Sequence, residues 1–79
     1  MISQYTRPQL EYYEHFCNFT DQEEKLFYYR ASGHTLDECC ELMNMDLSSV
    51  KRLSRKVNKK MINVTSVVNM DRWIRENYS

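Results

Sequence analysis

The sequence predicts a small all-α protein, a helix-turn-helix bundle of four to five helices that forms one domain over residues 1–79. Only one glycine and one proline occur among the 79 residues, so few positions interrupt a helix. Apolar residues recur at intervals of three and four along most of the chain, which is the spacing of amphipathic helices. Four of the predicted helices also follow a threonine or aspartate that can cap a helix N-terminus.

The first predicted helix covers residues 7–18 and is rich in aromatic side chains. Thr6 stands before Arg7 and Pro8, which is typical of an N-cap followed by proline in the first turn. The apolar side chains of this segment cover an unusually wide arc of the helix. They are Leu10, Tyr12, Tyr13, Phe16 and Cys17.

Two capping boxes predict the next two helices. In the first, Thr20 is expected to accept from the amide of Glu23, and the Glu23 carboxylate from the amide of Thr20. This helix is predicted to end at Gly33, which adopts the left-handed conformation. In the second, Thr35 and Glu38 open a short helix from Leu36 to about Met43. Its inward face is expected to consist of Leu36, Cys39, Cys40 and Met43, with Cys40 as the small residue where two helices cross.

A tight turn and a fourth, basic helix follow. Asn44 occupies the turn, where a residue that tolerates positive φ is needed, and Asp46 is the expected N-cap. The helix is predicted to run from Leu47 to about Met61. Its apolar edge contains Val50, Leu53 or Ser54, Val57 and Met61.

The C-terminal extension, residues 62–79, supports two interpretations. The β-branched Val64, Val67 and Val68 are compatible with an extended segment. The spacing of Val67, Met70, Trp73 or Ile74, and Tyr78 fits a helix that begins after Ser66. We favour a fifth helix.

The charges are strongly segregated although the net charge is zero. Three basic and nine acidic residues occur from Met1 to Asp46, whereas six basic and no acidic residues occur from Leu47 to Lys60. A concentrated basic stripe is typical of nucleic-acid binding, whatever the total charge. The alternative is a basic helix face that is merely solvated.

Residues 20–61 form the layout of a helix-turn-helix, in which a short helix supports a second helix for insertion into a DNA groove. The second helix begins with small polar residues that can approach base edges, and its outer face can neutralise phosphates. The predicted DNA-binding residues are Ser48, Ser49, Lys51, Arg52, Arg55, Lys56, Lys59 and Lys60.

Residues 19–61 resemble region four of bacterial sigma factors and the DNA-binding domain of LuxR-type regulators. The likeness rests on Phe19-Thr20-Asp21-Gln22-Glu23, Gly33-His34-Thr35-Leu36-Asp37-Glu38, Leu42 to Arg52, and Lys60-Met61. The chain departs from the shared pattern at five positions, one of which is Ser54, where a leucine is common. Cys39 and Cys40 replace isoleucine and alanine, Asn44 replaces the turn glycine, and Asp46 replaces the cap serine.

The resemblance implies sequence-specific binding of double-stranded DNA by a small bacterial or phage transcriptional regulator. It also implies that Arg52 contacts guanine, and that Lys56, Lys59, Lys60 and Thr35 contact the DNA backbone. Asp46 is expected to repel phosphates. The alternative is a sigma-like interaction module that binds RNA polymerase or another protein without specific DNA readout.

Other function classes find little support. No arrangement of catalytic residues is recognisable, so we expect a protein that is not an enzyme and needs no cofactor or metal. Cys17, Cys39 and Cys40 lack the spacing of a disulfide framework or a metal site and indicate free thiols in the cytoplasm. No apolar stretch is long enough for a membrane span.

Aromatic residues predict a second kind of contact. Eight of the ten aromatic residues lie before Arg30, more than one thin core can absorb. Either these N-terminal aromatics or the region of Trp73 can therefore form a homodimer interface, while core packing with ordinary exposed tyrosines is the alternative.

Overall fold

Five helices and no strand make up residues 5–78, the part of the chain that the computed structural model describes. The helices are α1 (Arg7–Phe16), α2 (Asp21–Ala31), α3 (Leu36–Met43), α4 (Leu47–Val64) and α5 (Val67–Tyr78). The predicted all-α class and the helix order are therefore confirmed. None of these helices is long and apolar enough to cross a membrane.

Side-chain caps fix where the first four helices begin. Thr6, Thr20 and Thr35 each accept a hydrogen bond from the amide three residues later, and that third residue accepts one from the threonine amide. Asp46 caps α4 by accepting from the amide of Ser49. These caps satisfy amides that have no partner within their own helix, so each helix starts at the expected residue.

Two backbone positions with positive φ connect the helices around α3. Gly33 has φ 92° after the end of α2, and Asn44 has φ 53° after the end of α3. The amide of Met45 then donates to the carbonyl of Cys40 at 3.0 Å, which closes the turn between α3 and α4. This turn sets the direction in which α4 leaves α3.

The core surrounds α4, which packs against α1, α2 and α3, while α5 packs against α1. Val50 and Val57 of α4 are buried together with Tyr13, Leu26 and Phe27. α3 contributes Cys39, whose exposed fraction is 0%, whereas Cys40 is only half-buried. Of the two cysteines, Cys39 is therefore the one in the core, and the place of Cys40 at the helix crossing stays a prediction.

α4 is longer and α1 shorter than the sequence predicts. α1 ends at Phe16 rather than at residue 18, and α4 continues three residues beyond Met61 to Val64. Hydroxyl groups of α1 hold the end of α4: Tyr12 donates to the carbonyl of Val64 at 2.6 Å, and Tyr13 shares a hydrogen bond of 2.9 Å with Thr65. These tertiary contacts hold the C-terminal end of α4 against α1.

The C-terminal extension is helical, as favoured, and not extended. Ser66 accepts from the amides of Asn69 and Met70, so it begins α5 as predicted. Met70 is buried, and the ring of Trp73 lies 5.9 Å from that of Tyr12. α5 is therefore anchored to α1 by its apolar side.

Candidate nucleic-acid interface

One side of α4 presents a nearly continuous array of exposed cations. Its buried edge contains Val50, Leu53, Val57 and Met61. Because successive residues turn by about 100° around an α-helix, the intervening basic residues lie away from that edge. We call the exposed residues Ser48, Lys51, Arg52, Arg55, Lys56 and Lys59 the basic face of α4.

The five cations of the basic face have no ion-pair partner within residues 5–78, where the ion pairs involve only Arg7, His34 and Lys60. Ser48, Arg55 and Lys59 point most directly away from the core, and Lys51 and Lys56 lie on opposite flanks. Five neighbouring charges of one sign repel one another, so an anionic surface placed against them is strongly attracted.

Lys60 differs from the other predicted cations because its charge is used inside the fold. Its ammonium donates to the carboxylate of Glu23 and to the carbonyl of Asn18, the latter at 2.7 Å. Lys60 follows buried Val57 by three residues, so it lies on the border of the apolar edge. We therefore remove Lys60 from the residues assigned to DNA. In the sequence, its position beside the apolar edge indicates that Lys60 lies against the fold.

Glu23 is the buried partner of that ion pair, with an exposed fraction of 3%. Burial by itself raises the pKa of this carboxyl, but hydrogen bonds from the Lys60 ammonium and the Thr20 amide outweigh it and lower the pKa below its usual value. Glu23 is thus a charged carboxylate that caps α2 and binds α4 at the same time. It holds the basic helix in position.

The N-cap of α4 is a carboxylate, Asp46, that accepts two hydrogen bonds from Ser49 in the first turn. The hydroxyl of Ser49 donates to Asp46 at 2.6 Å and the amide of Ser49 at 3.3 Å, and these bonds lower the pKa of Asp46. Ser49 is half-buried and its hydroxyl proton is committed to this cap, whereas Ser48 is exposed. Of the two predicted serines, Ser48 is the better placed to contact a base.

α3 presents an acidic rather than a basic surface beside α4. Asp37, Glu38 and Glu41 are exposed, and α3 contains no lysine or arginine. Thr35, for which the resemblance implies a backbone contact, uses its hydroxyl to accept from the amide of Glu38 at 3.1 Å. The basic surface in this part of the molecule is therefore confined to α4.

A shallow depression of about 190 Å³ lies on one flank of the basic face. It joins the start of α2, the turn before α4, and α4 itself. Sequence reasoning missed one contributor, Gln22, because its proximity to α4 depends on how α2 packs. The depression is lined by Gln22, Met45, Ser49, Arg52, Leu53 and Lys56.

The two predicted aromatic surfaces meet in one cluster. The ring of Trp73 lies 5.8 Å from that of His15 and 6.3 Å from that of Phe16, and Tyr12 is buried beneath it. Most of the N-terminal aromatics are therefore occupied by packing within the molecule. Phe16 stays 46% and Tyr28 42% exposed, so homodimerisation through this region stays a prediction.

The cysteines are free thiols within the described residues, and no group of three or more His, Cys, Asp or Glu side chains there is arranged to hold a metal ion. Burial raises the pKa of the Cys17 thiol to about 11, although Lys60 nearby opposes this. Comparison with known proteins gives no match among protein-family models, curated proteins or solved structures.

Proposed function

We propose that this protein binds double-stranded DNA in a sequence-specific manner, by placing the basic face of α4 in the major groove, and that it is a small bacterial or phage transcriptional regulator. The observation that carries the proposal is a set of five exposed cations on one helix, none of which has an ion-pair partner among residues 5–78. α2 and α3 pack against the opposite side of this helix. An α-helix about 10–12 Å wide fits a major groove about 12 Å wide.

The side chains of the basic face divide into two roles by their position along α4. Ser48 and Lys51 are exposed in the first turns, where a recognition helix meets base edges. Lys56 and Lys59 lie one to two turns later, where the helix leaves the groove and the backbone is within reach of long side chains. Specificity therefore comes from the start of α4, and most of the affinity from its middle.

The dependence of affinity on salt tests this proposal. With about five phosphates neutralised, the logarithm of the association constant should fall against the logarithm of salt concentration with a slope of roughly −4.5. Selection of bound sequences from a random duplex pool supplies the target duplex and shows whether its half-sites are symmetric. A flat salt response, or a pool without enrichment, would contradict the proposal.

Asp46→Ser is expected to tighten DNA binding about three-fold, since it removes a negative charge from the turn that approaches the phosphates and keeps a capping side chain. The free energy of unfolding should stay nearly unchanged, because serine is also a favourable N-cap. Binding to the selected duplex and urea unfolding measure both quantities. Asp71→Ser on α5, which makes the same charge change, is the control; an equal gain in both variants would rule out a local effect of Asp46.

A second candidate function is an interaction module that binds RNA polymerase or another protein without specific DNA readout. Exposed Asp37, Glu41 and Asp46 beside the basic face favour it, because acidic groups at this place oppose the approach of DNA and suit a basic protein surface. Capture of polymerase from cell extract that survives charge reversal at Lys51 and Arg52 would support this candidate over the first.

A further inference from the structure

The depression between α2 and α4 has the composition of a site for one anionic group. We propose that it binds a single phosphodiester of the DNA backbone, with Arg52 and Lys56 neutralising its charge and Gln22 donating an amide hydrogen bond. This inference rests on the proposed function. It adds α2 to the DNA-contacting surface and gives Arg52 a role other than contact with guanine.

Three segments of the chain converge at this place. Ser49, Arg52 and Lys56 follow one another at intervals of three and four, so they share one flank of α4. Gln22 comes from the first turn of α2, and Met45 from the turn that precedes α4. Of the lining residues, Leu53 is 8% exposed and therefore buried, whereas Gln22, Arg52 and Lys56 are exposed.

The charges around the depression suit an anion. Both ionic side chains that line it are cationic, and the acidic Asp21 and Glu24 line a different depression, together with Tyr28. One carboxylate lies next to the depression: Asp46 accepts from the hydroxyl of the lining residue Ser49, so two cations face one neighbouring acid. The first turn of α2 also contains the acidic Asp21, Glu23 and Glu24, so α2 contributes the side-chain amide of Gln22 and not a free helix N-terminus. A phosphate oxygen can accept hydrogen bonds from this amide and from the cations of Arg52 and Lys56.

The position relative to α4 distinguishes a phosphate from a base. When the outward side of a helix enters the major groove, its tip and outer side face the base edges, and its flanks face the two sugar-phosphate backbones. The depression, of about 190 Å³, is on the flank that carries Lys56, not on the outward side that carries Ser48 and Arg55. A phosphodiester is therefore the group that it meets.

Single substitutions measured on two duplexes test the inference. Arg52→Ala and Lys56→Ala should each weaken binding about five-fold on the selected duplex and by the same factor on a scrambled duplex, and should each reduce the salt slope by about 1. Gln22→Ala should weaken binding to both duplexes about three-fold and leave the slope unchanged, because it removes no charge. Lys25→Ala, an exposed lysine of α2 outside this depression, is the control.

Neutral methylphosphonate groups placed one at a time along the selected duplex locate the bound phosphate. At one position the neutral group should lower the affinity of the wild-type protein but leave the affinity of Arg52→Ala unchanged. That position identifies the phosphate that Arg52 contacts. If Arg52→Ala weakens only the selected duplex and relaxes the preference for one base, Arg52 contacts that base and the inference is wrong, although the proposed function stands. If the wild-type chain binds neither duplex, the proposed function fails as well.

Discussion

Replacing Lys51 and Arg55 together by glutamate is expected to abolish specific DNA binding, with a loss of affinity of at least about 100-fold at moderate salt. Both side chains are exposed on the basic face, and neither belongs to an ion pair within residues 5–78. The double variant removes two phosphate-attracting charges and adds two that repel the duplex. Binding to the selected duplex, followed by fluorescence anisotropy, measures the effect.

The matched control reverses two arginines on another helix. Arg72 and Arg75 are exposed on α5, and their replacement by glutamate changes the net charge by the same amount. The control should bind DNA within about three-fold of the wild-type protein, because its charges lie outside the basic face. Equal losses in the two double variants would indicate a response to net charge alone, and α4 would then lose its assigned role.

Glu23→Ala is expected to lower the free energy of unfolding by about 2–4 kcal/mol. The substitution opens the capping box of α2 and leaves the half-buried ammonium of Lys60 without its carboxylate. A domain of this length has a total stability of roughly 4–12 kcal/mol, so the variant should be partly unfolded at modest urea concentrations. Urea unfolding followed by circular dichroism measures the change.

Glu38→Ala is the control that distinguishes the loss of a capping box from the loss of the ion pair with Lys60. Glu38 accepts from the amide of Thr35 at 3.0 Å and completes the capping box of α3, as Glu23 does in α2, but it is exposed and its ion pair within residues 5–78 is with His34. Its replacement should lower the free energy of unfolding much less than Glu23→Ala does. Equal losses at Glu23 and Glu38 would mean that the contact between α2 and α4 through Lys60 adds nothing.

The pH dependence of stability gives the same test a second readout. The pKa of Glu23 is lower in the folded protein than its unfolded value of about 4.3, so its ionised form stabilises the fold fully above that value. This contribution is lost as the pH falls through the folded pKa. The wild-type protein should therefore lose more stability than Glu23→Ala on acidification from neutral pH, and a constant difference between them would contradict the role given to Glu23.

The local features of the fold were predictable because each depends on residues a few positions apart. Helices α2 and α3 begin at capping boxes, in which the hydrogen bonds join residues three positions apart: Thr20 with Glu23, and Thr35 with Glu38. The positive φ of Asn44 likewise follows from the short gap between the end of one helix and the next cap. For the same reason, the exposed basic face of α4 follows from the spacing of its apolar edge.

The features that the sequence did not predict depend on distant residues. Lys60 donates a hydrogen bond to Glu23, which is 37 positions away in the sequence. Tyr12 donates to the carbonyl of Val64, which is 52 positions away. Spacing within one helix contains no information about such pairs, since they require the packing of α1 and α2 against α4. Gln22 beside Arg52 belongs to the same class, and so does the contact between Trp73 and the aromatics of α1.

Nuclear magnetic resonance with the ¹⁵N-labelled chain tests the central proposal most directly, because it reports every helix at once while the selected duplex is added. We expect the largest amide shifts at Ser48, Lys51 and Arg55, with smaller ones at Gln22 and Lys56 and almost none along α5. Shifts confined to α1 and α5, with the amides of α4 unchanged by a saturating duplex, would contradict the assignment of α4 as the DNA-binding helix.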